Sequence, residues 1–139
     1  MTPGYRLLAT APSIDDYVRL RREAGLTPKT EEQAAAALPG SLAAWHVVEE
    51  ATSETVGMGR LLGDGGWYFH VVDMAVLPAH QGRGVGDAVL TAILDHIRAT
   101  APPNAFVSLM ADPPGRRLYD RHGFFETAPE HVGLALRLP

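Results

Sequence analysis

The hydrophobic pattern changes its period in the middle of the chain, and this change marks the element around which the sequence is organised. Residues 67 to 77 form an apolar run rich in β-branched and aromatic residues, which is typical of a buried strand. Pro78 ends the run, and the glycine-rich segment QGRGVG follows at residues 81 to 86. Apolar residues then recur at helical spacing, at Leu90, Ile93, Leu94 and Ile97. The pattern therefore predicts a strand, a glycine turn and an amphipathic helix.

The remaining patterns predict an α/β chain with no second domain. Ser13 and Thr30 are placed to cap two helices, and Gly123 is placed to end a short one. There is no internal repeat, low-complexity tract or linker, so we expect one domain over residues 1–139. Predicted strands cover 5–9, 42–48, 55–62, 67–77, 105–110, 124–127 and 132–138; predicted helices begin after Ser13 and Thr30 and cover 84–99 and 115–122.

The glycine turn has the properties of an anion site. The first N–H groups of a helix have no partner within the helix, and the helix dipole adds partial positive charge there. Glycines let a ligand approach the backbone, and Arg83 adds a full charge. Two known phosphate motifs are excluded: Asp87 stands where a dinucleotide fold needs its third glycine, and the only lysine, Lys29, rules out a P-loop at this turn. What remains is Q-x-x-G-x-G.

This motif, after a strand that ends Ala-Val-Leu-Pro, resembles the acyl-CoA-binding motif of the GNAT superfamily of acyl-CoA-dependent N-acetyltransferases. A second motif in residues 112–125 supports the resemblance, since it keeps Leu118, Tyr119, Gly123 and Phe124 of the family pattern. The chain departs from that pattern at Asp112 and Gly115. The resemblance implies an α/β GNAT fold: a mixed, mostly antiparallel sheet of six or seven strands, with a parallel, splayed central pair and about four flanking helices.

The resemblance also implies acetyl-CoA as co-substrate. In the family, amides of the glycine turn hold the pyrophosphate of coenzyme A, and the edge of the splayed strand offers hydrogen bonds to the pantetheine arm. The main chain of Met74 and Val76 is expected at that edge. The residues that the resemblance assigns to the turn are Gln81, Gly82, Arg83, Gly84, Val85 and Gly86.

Two residues are candidates for acid–base chemistry. By resemblance, Tyr119 is the general acid that protonates the departing thiolate, and His70 occupies the position of the base that takes a proton from the amine. The alternative interpretations are a tyrosine that packs against the core and a histidine satisfied on a half-buried strand. Strand alternation places residues 70, 72, 74 and 76 on one face only if no bulge intervenes. Asp73 is the competing base, although we favour a structural pair between Asp73 and an arginine such as Arg60.

The expected reaction is direct acetyl transfer to a primary amine of a small molecule. The region around Tyr119 is similar to the arylalkylamine and serotonin N-acetyltransferase-like branch. Trp67 and Tyr68, with Trp45, are candidates for an aromatic wall, although each could be core, and Glu31, Glu32 and Asp64 are the carboxylates available to a cationic acceptor. Three alternatives remain: a protein or peptide amine as acceptor, an aminoglycoside or polyamine as acceptor, and a catalytically silent acyl-CoA-binding regulatory protein.

The composition of the chain excludes several kinds of site and partner. The chain has no cysteine, which excludes disulfides, thiolate metal sites and a cysteine nucleophile. A net charge of -4 gives no general attraction to nucleic acid or to anionic membranes. No apolar run is long enough to span a bilayer, so we expect a cytoplasmic protein. Histidine and carboxylate spacing suggests no metal site. A homodimer is implied by the resemblance alone.

Overall fold

The structure, a computed structural model, describes all residues from 1 to 139 and confirms the α/β class. Five strands and four helices form, and short 3-10 turns lie at Leu38–Gly40, Pro78–His80 and Pro113–Gly115. The strands are β1 (Tyr5–Leu8), β2 (Ala43–Glu49), β3 (Thr55–Gly63), β4 (Tyr68–Val76) and β5 (Phe106–Leu109). The helices are α1 (Ile14–Glu23), α2 (Glu31–Ala37), α3 (Val85–Thr100) and α4 (Arg116–Arg121).

The predicted caps are present. The Ser13 side chain accepts a hydrogen bond from the N–H of Asp16 at the start of α1. At α2, the Thr30 side chain accepts from the N–H of Gln33, and the Gln33 side chain accepts from the N–H of Thr30. Each pair satisfies donors that the first helical turn cannot satisfy itself. The sequence thus determines where these two helices begin.

The sheet has the order β1-β2-β3-β4-β5. The first four strands pair antiparallel with their neighbours, and β4 and β5 pair in parallel. A parallel pair needs a crossover connection, and α3 supplies it. The predicted parallel pair is therefore confirmed, but it lies at one end of the sheet instead of at its centre, and the sheet has five strands instead of six or seven.

Helix α3 covers one face of the sheet and forms the core with it. Its residues Val89, Leu90 and Ile93 are fully buried, as the helical spacing predicts. From β4, Phe69 and Val71 are buried too. The face of β4 that carries these two residues therefore packs into the core, and the intervening His70 belongs to the opposite face. None of the helices combines the length and apolar character that crossing a membrane requires.

The β3–β4 pair contains a bulge at Asp73. Met58 pairs with Ala75 and Arg60 with Val72, so Gly59 alone faces two residues of β4. Asp73 has a φ of 58°, in the left-handed region. A Cβ on Gly59 would lie 2.6 Å from Met74 Sδ and 2.7 Å from a side-chain methyl of Val89. The Met74 side chain therefore packs on the α3 side. Residues 70, 72, 74 and 76 consequently do not share one face of the strand.

The chain divides into two compact units, residues 1–109 and residues 110–139. The first contains the whole sheet and helices α1 to α3. The second contains α4, where the ring of Tyr119 contacts that of Phe124 at 5.9 Å, and a C-terminal segment with no regular structure.

The prediction of strands at residues 124–127 and 132–138 is wrong for this structure. Neither segment joins the sheet, and Phe125, Leu134 and Leu136 are 77%, 92% and 84% exposed. Alternating apolar residues show that a segment can form a strand. They do not supply the partner whose hydrogen bonds make it one.

Candidate active site

The glycine turn joins the end of β4 to the start of α3. The first hydrogen bond of α3 runs from the N–H of Ala88 to the carbonyl of Gly84, so the N–H groups of Val85 and Gly86 precede the hydrogen-bond ladder of the helix. Gln81, Gly82 and Arg83 are exposed. The start of α3 therefore follows directly on an exposed turn that carries one guanidinium, the combination of features that favours an anion.

The backbone geometry at residue 84 permits only glycine. It caps α3 with a φ of 79°, and a Cβ there would lie 2.9 Å from the Cα of Met1. A side chain would be strained by the left-handed conformation and would also collide with backbone. The local fold therefore requires glycine at this position.

Side chains of the turn are held by neighbouring elements. Arg83 donates to the hydroxyl of Tyr5 at 3.1 Å, and that hydroxyl lies 2.8 Å from Nδ1 of His80. The Gln81 amide donates to the carbonyl of Val76 at 3.1 Å. These bonds tie the turn to β1 and to the last residue of β4.

The parallel pair separates before β4 ends. Its last paired residues are Val71 in β4 and Leu109 in β5, so β5 leaves the edge of residues 72 to 76 uncovered. Leu77 donates its N–H to Val56 beside β3, and strand alternation therefore turns the N–H and C=O of Val76 to the opposite edge. The backbone of Met74, two residues earlier, faces the same way. This edge leads directly to the glycine turn.

Asp73 is held by three donors. Its carboxylate accepts from Arg60 Nε at 2.6 Å and from the hydroxyl of Tyr17 at 2.8 Å, and it pairs with Arg21. The Asp73 side chain is 5% exposed. Burial, together with the nearby carboxylate, raises the pKa of Tyr17, so the phenol remains a donor at neutral pH. The structural pair of Asp73 with Arg60 is confirmed.

His70 lies on the other face of β4 from the core and is half-buried. Its Nδ1 lies 2.8 Å from the hydroxyl of Ser108, its partner across the parallel pair. The Ser108 hydroxyl also lies 3.5 Å from the carbonyl oxygen of Phe69. A serine hydroxyl carries one proton, so Ser108 donates either to that carbonyl or to Nδ1, and Nε2 takes no part in either contact. Burial lowers the pKa of His70, so its neutral form dominates at pH 7.

Tyr119 belongs to the second unit and is 9% exposed. Its ring packs against Gly115, where a Cβ would lie 3.2 Å from the ring edge. Burial, and then the charge of Asp112, raise the pKa of its phenol. The hydroxyl therefore carries its proton at neutral pH and can donate it.

Aromatic side chains lie beside His70. Tyr68 is two residues earlier on the same face of β4, and its ring lies 5.6 Å from that of Phe106, which pairs opposite it. Trp67 contacts Tyr68 at 5.2 Å, and all three rings are exposed. Trp45, in contrast, is buried, with its ring 5.5 Å from His96 of α3. Trp45 is therefore a core residue.

The predicted acceptor carboxylates lie at helix and turn positions. Glu31 and Glu32 are exposed in the first turn of α2, where negative charge is favourable. Asp64 accepts from the N–H groups of Trp67, Gly66 and Tyr68, and these bonds lower its pKa. Asp64 thus organises the turn before β4.

The structure brings together one cluster of metal-ligating side chains that their spacing in the sequence does not indicate. Glu49, Glu54 and His80 place possible ligand atoms within 4.8 Å of one another. Each already has a partner: Thr52 donates to Glu49, Arg19 pairs with Glu54, and Tyr5 bonds His80. We assign this cluster no metal.

Sequence reasoning missed Ser108, Phe106 and the donors Arg21 and Tyr17. Ser108 and Phe106 alternate with Val107 and Leu109, which is the only signal that the sequence carries for their shared face. Their positions beside His70 and Tyr68 follow from the register of β4 and β5, a tertiary property.

Comparison with known proteins agrees with this arrangement. Residues 41–126, more than half of the chain, match the family model of the GNAT acetyltransferase domain. A probable acetyltransferase from meticillin-resistant Staphylococcus aureus is 35% identical, with a TM-score of 0.91 over 96% of this chain and 99% of that one. The chain belongs to the GNAT acetyltransferase family, whose members use acetyl-CoA as co-substrate.

More distant structures share the fold and differ in their acceptors. Glucosamine-6-phosphate N-acetyltransferase from Arabidopsis thaliana is 14% identical, with a TM-score of 0.74 over 97% of this chain and 99% of that one. The ribosomal-protein-S18-alanine N-acetyltransferase of Escherichia coli is 17% identical, with a TM-score of 0.71 over 89% of this chain and 79% of that one. No curated protein is significantly similar in sequence. The fold alone therefore leaves the acceptor undetermined.

The carboxylate of Asp73 can be tested through stability. Asp73→Asn leaves the nearly buried guanidiniums of Arg60 and Arg21 without their counter-charge, so we expect a loss of about 3–5 kcal/mol in the free energy of unfolding. Urea unfolding measures this. Asp95→Asn, which breaks a pair with Arg98 that is about two-thirds exposed, is the matched control and should cost under about 1 kcal/mol. Equal effects of the two changes would contradict the structural role.

The protonation of His70 can be tested by NMR titration. Because burial disfavours the charged ring, the midpoint should lie below the ordinary value of about 6.5. The unfolded chain then binds this proton more tightly, so the contribution of His70 to stability is lost as the pH falls below about 6.5. Nitrogen-15 spectra should show the neutral ring protonated on Nδ1, with His70→Gln identifying the signal. A midpoint at or above 6.5 would contradict the prediction.

Proposed function

We propose that this protein transfers the acetyl group of acetyl-CoA to a primary amine of a small molecule, by direct attack in a ternary complex. The observation that carries the proposal is the continuity of one strand. Strand β4 bears His70, has an edge beyond Val71 that β5 does not pair with, and ends in the glycine turn. A thioester held along that edge places its acyl group beside β4. The chain has no cysteine to carry the acetyl group in a two-step reaction.

The turn is suited to the diphosphate of coenzyme A. The N–H groups at the start of α3 supply aligned donors, and Arg83 supplies a positive charge. The Gln81 amide donates a hydrogen bond to the Val76 carbonyl, and this bond links the turn to the strand edge. Along that edge, the backbone of Met74 and Val76 offers hydrogen bonds to the amides of the pantetheine arm.

His70 is proposed as the base. An ammonium has no lone pair, so the amine must lose a proton to attack the thioester. In the tautomer that this role requires, Nδ1–H is donated to Ser108 and Nε2 is the acceptor, and the lowered pKa of His70 favours the neutral ring. Asp73 is not proposed for this task, because its carboxylate is already engaged by two guanidiniums and a phenol.

Tyr119 is proposed as the acid on the grounds of family resemblance. As the amine nitrogen bonds to the acyl carbon, the carbon–sulfur bond breaks and charge develops on sulfur. The phenol of Tyr119 transfers its proton to that sulfur, while the proton of the amine passes to His70. Its raised pKa means that the phenol is protonated at neutral pH, which a proton donor requires.

An aromatic amine is the favoured acceptor. The exposed rings of Tyr68 and Phe106 lie on the same face as His70 and Ser108. Each ring is two residues before its neighbour in the same strand. Trp67 extends this surface. A flat ligand could stack there with its amine directed toward His70. Glu31 and Asp64 remain candidates for contacts with a positively charged substituent.

A thiol-release assay tests the proposal. Acetyl-CoA is offered with aryl alkylamines, polyamines, amino acids, aminoglycosides and peptides, and we expect the fastest release with aryl alkylamines. Tyr119→Phe should lower turnover roughly 100-fold or more while the affinity for acetyl-CoA, measured by calorimetry, stays unchanged, since only a proton donor is lost.

The outcomes separate the alternatives. Release with peptides alone would replace the small-molecule acceptor by a protein amine. If acetyl-CoA binds and no acceptor raises release above spontaneous hydrolysis, the protein is an acyl-CoA-binding regulator and the proposal fails.

A further inference from the structure

The first residues of the chain contact Arg83 at two points. The N–H of Thr2 donates to the carbonyl of Arg83 at 2.9 Å, and the hydroxyl of Tyr5 accepts from the Arg83 guanidinium at 3.1 Å. Met1 lies against the following residue, since a Cβ on Gly84 would come within 2.9 Å of the Met1 Cα. One short segment therefore restrains both the backbone and the side chain of the charged residue in the glycine turn.

Tyr5 is itself held in place. It is the first residue of β1 and pairs with Glu49 of β2. Its ring meets the ring of His80 edge to face, with 5.7 Å between the centroids, and its hydroxyl lies 2.8 Å from Nδ1 of His80. His80 is buried in the 3-10 turn that precedes the glycine turn. The oxygen of Tyr5 is therefore a fixed acceptor for the guanidinium of Arg83.

The partner of Arg83 carries no formal charge at this contact. Arg83 takes part in none of the ion pairs of the structure, which engage Arg19, Arg21, Arg60, Arg98 and Arg116. A carboxylate in the place of the hydroxyl would offset the positive charge, whereas a hydroxyl oxygen only orients it. A guanidinium has five N–H donors, and one terminal nitrogen of Arg83 bonds to Tyr5. Donors therefore remain for the two parallel bonds that a phosphate can accept.

We propose that Tyr5 is a positioning residue for acetyl-CoA: its hydroxyl orients the charged guanidinium of Arg83 toward the diphosphate. An exposed arginine loses rotamer freedom when it binds an anion, and a side chain that is already ordered loses less. This role rests on the proposed binding of acetyl-CoA and adds to it a residue of β1 that lies outside the glycine motif.

Calorimetry with Tyr5→Phe tests the positioning role. Phenylalanine keeps the ring that contacts His80 and removes only the hydroxyl, so the fold should be unchanged, which circular dichroism checks. The affinity for coenzyme A should fall roughly 3- to 10-fold, because Arg83 must then be ordered at the moment of binding. Dephospho-coenzyme A, which keeps the diphosphate, should show the same loss. Pantetheine, which lacks the diphosphate, should show none.

A double-mutant cycle shows whether the hydroxyl acts through Arg83. Arg83→Met removes the guanidinium and keeps the stem of the side chain. In this background, Tyr5→Phe should change the affinity for coenzyme A by less than about twofold. Arg6→Met is the matched control, because it removes an exposed positive charge from the residue next to Tyr5. In that second background, Tyr5→Phe should keep its full effect.

The free protein provides a readout that needs no ligand. Nitrogen-15 relaxation gives the order parameter of the Nε–H group of Arg83. This order parameter should be lower in Tyr5→Phe than in the wild type, because the guanidinium has lost the acceptor that restrains it.

The outcomes distinguish the role of Tyr5 from the proposed function. If coenzyme A binds the wild type, the role of Tyr5 alone is overturned by an unchanged affinity in Tyr5→Phe, by an unchanged affinity in Arg83→Met, or by an equal loss with pantetheine. It is also overturned if Tyr5→Phe is as costly without the guanidinium as with it, or if the order parameter of Arg83 does not fall. A wild type that does not bind coenzyme A overturns both the role of Tyr5 and the proposed function.

Discussion

The buried carboxylate of Asp73 is the interaction on which the rest of the structure depends. Asp73 lies in a left-handed conformation that few residues other than glycine adopt, and it is held there by Arg60, Arg21 and Tyr17. These partners come from β3 and α1, so one carboxylate connects two strands and a helix. The bulge that it stabilises breaks the regular alternation of β4 at the point where β5 has just separated from it.

That break gives the two halves of β4 different roles. Before the bulge, His70 and Tyr68 lie on the face away from α3, next to Ser108 and Phe106. After it, the Met74 side chain turns into the core, and the main chain of Met74 and Val76 lies along an edge that leads into the glycine turn. Because a net charge of -4 repels a polyphosphate at long range, the proposed binding of coenzyme A depends on the local donors of α3 and on Arg83.

The sequence predicts those parts of the site whose causes are local. The glycine turn, the caps at Ser13 and Thr30 and the spacing of α3 each depend on residues within a few positions of one another. The bulge could not be derived in this way, because it requires Arg21 and Arg60, which are distant in sequence from Asp73. The same holds for Ser108, whose contact with His70 exists only through the register of two strands that α3 separates. The segment after Gly123 has the composition of strands, but its pairing depends on a partner that local pattern does not specify. The single-domain organisation and the arylalkylamine branch remain predictions.

The central claim is that the glycine turn holds the diphosphate of coenzyme A while the edge of β4 holds its pantetheine arm. The most direct test follows backbone amide shifts of nitrogen-15-labelled protein during titration with coenzyme A, and separately with pantetheine, which lacks the diphosphate. The account predicts that coenzyme A moves the amides of residues 82–86 most, together with those of Met74 and Val76, and that pantetheine moves only the latter two. Saturable binding of coenzyme A that leaves residues 82–86 unmoved would contradict it.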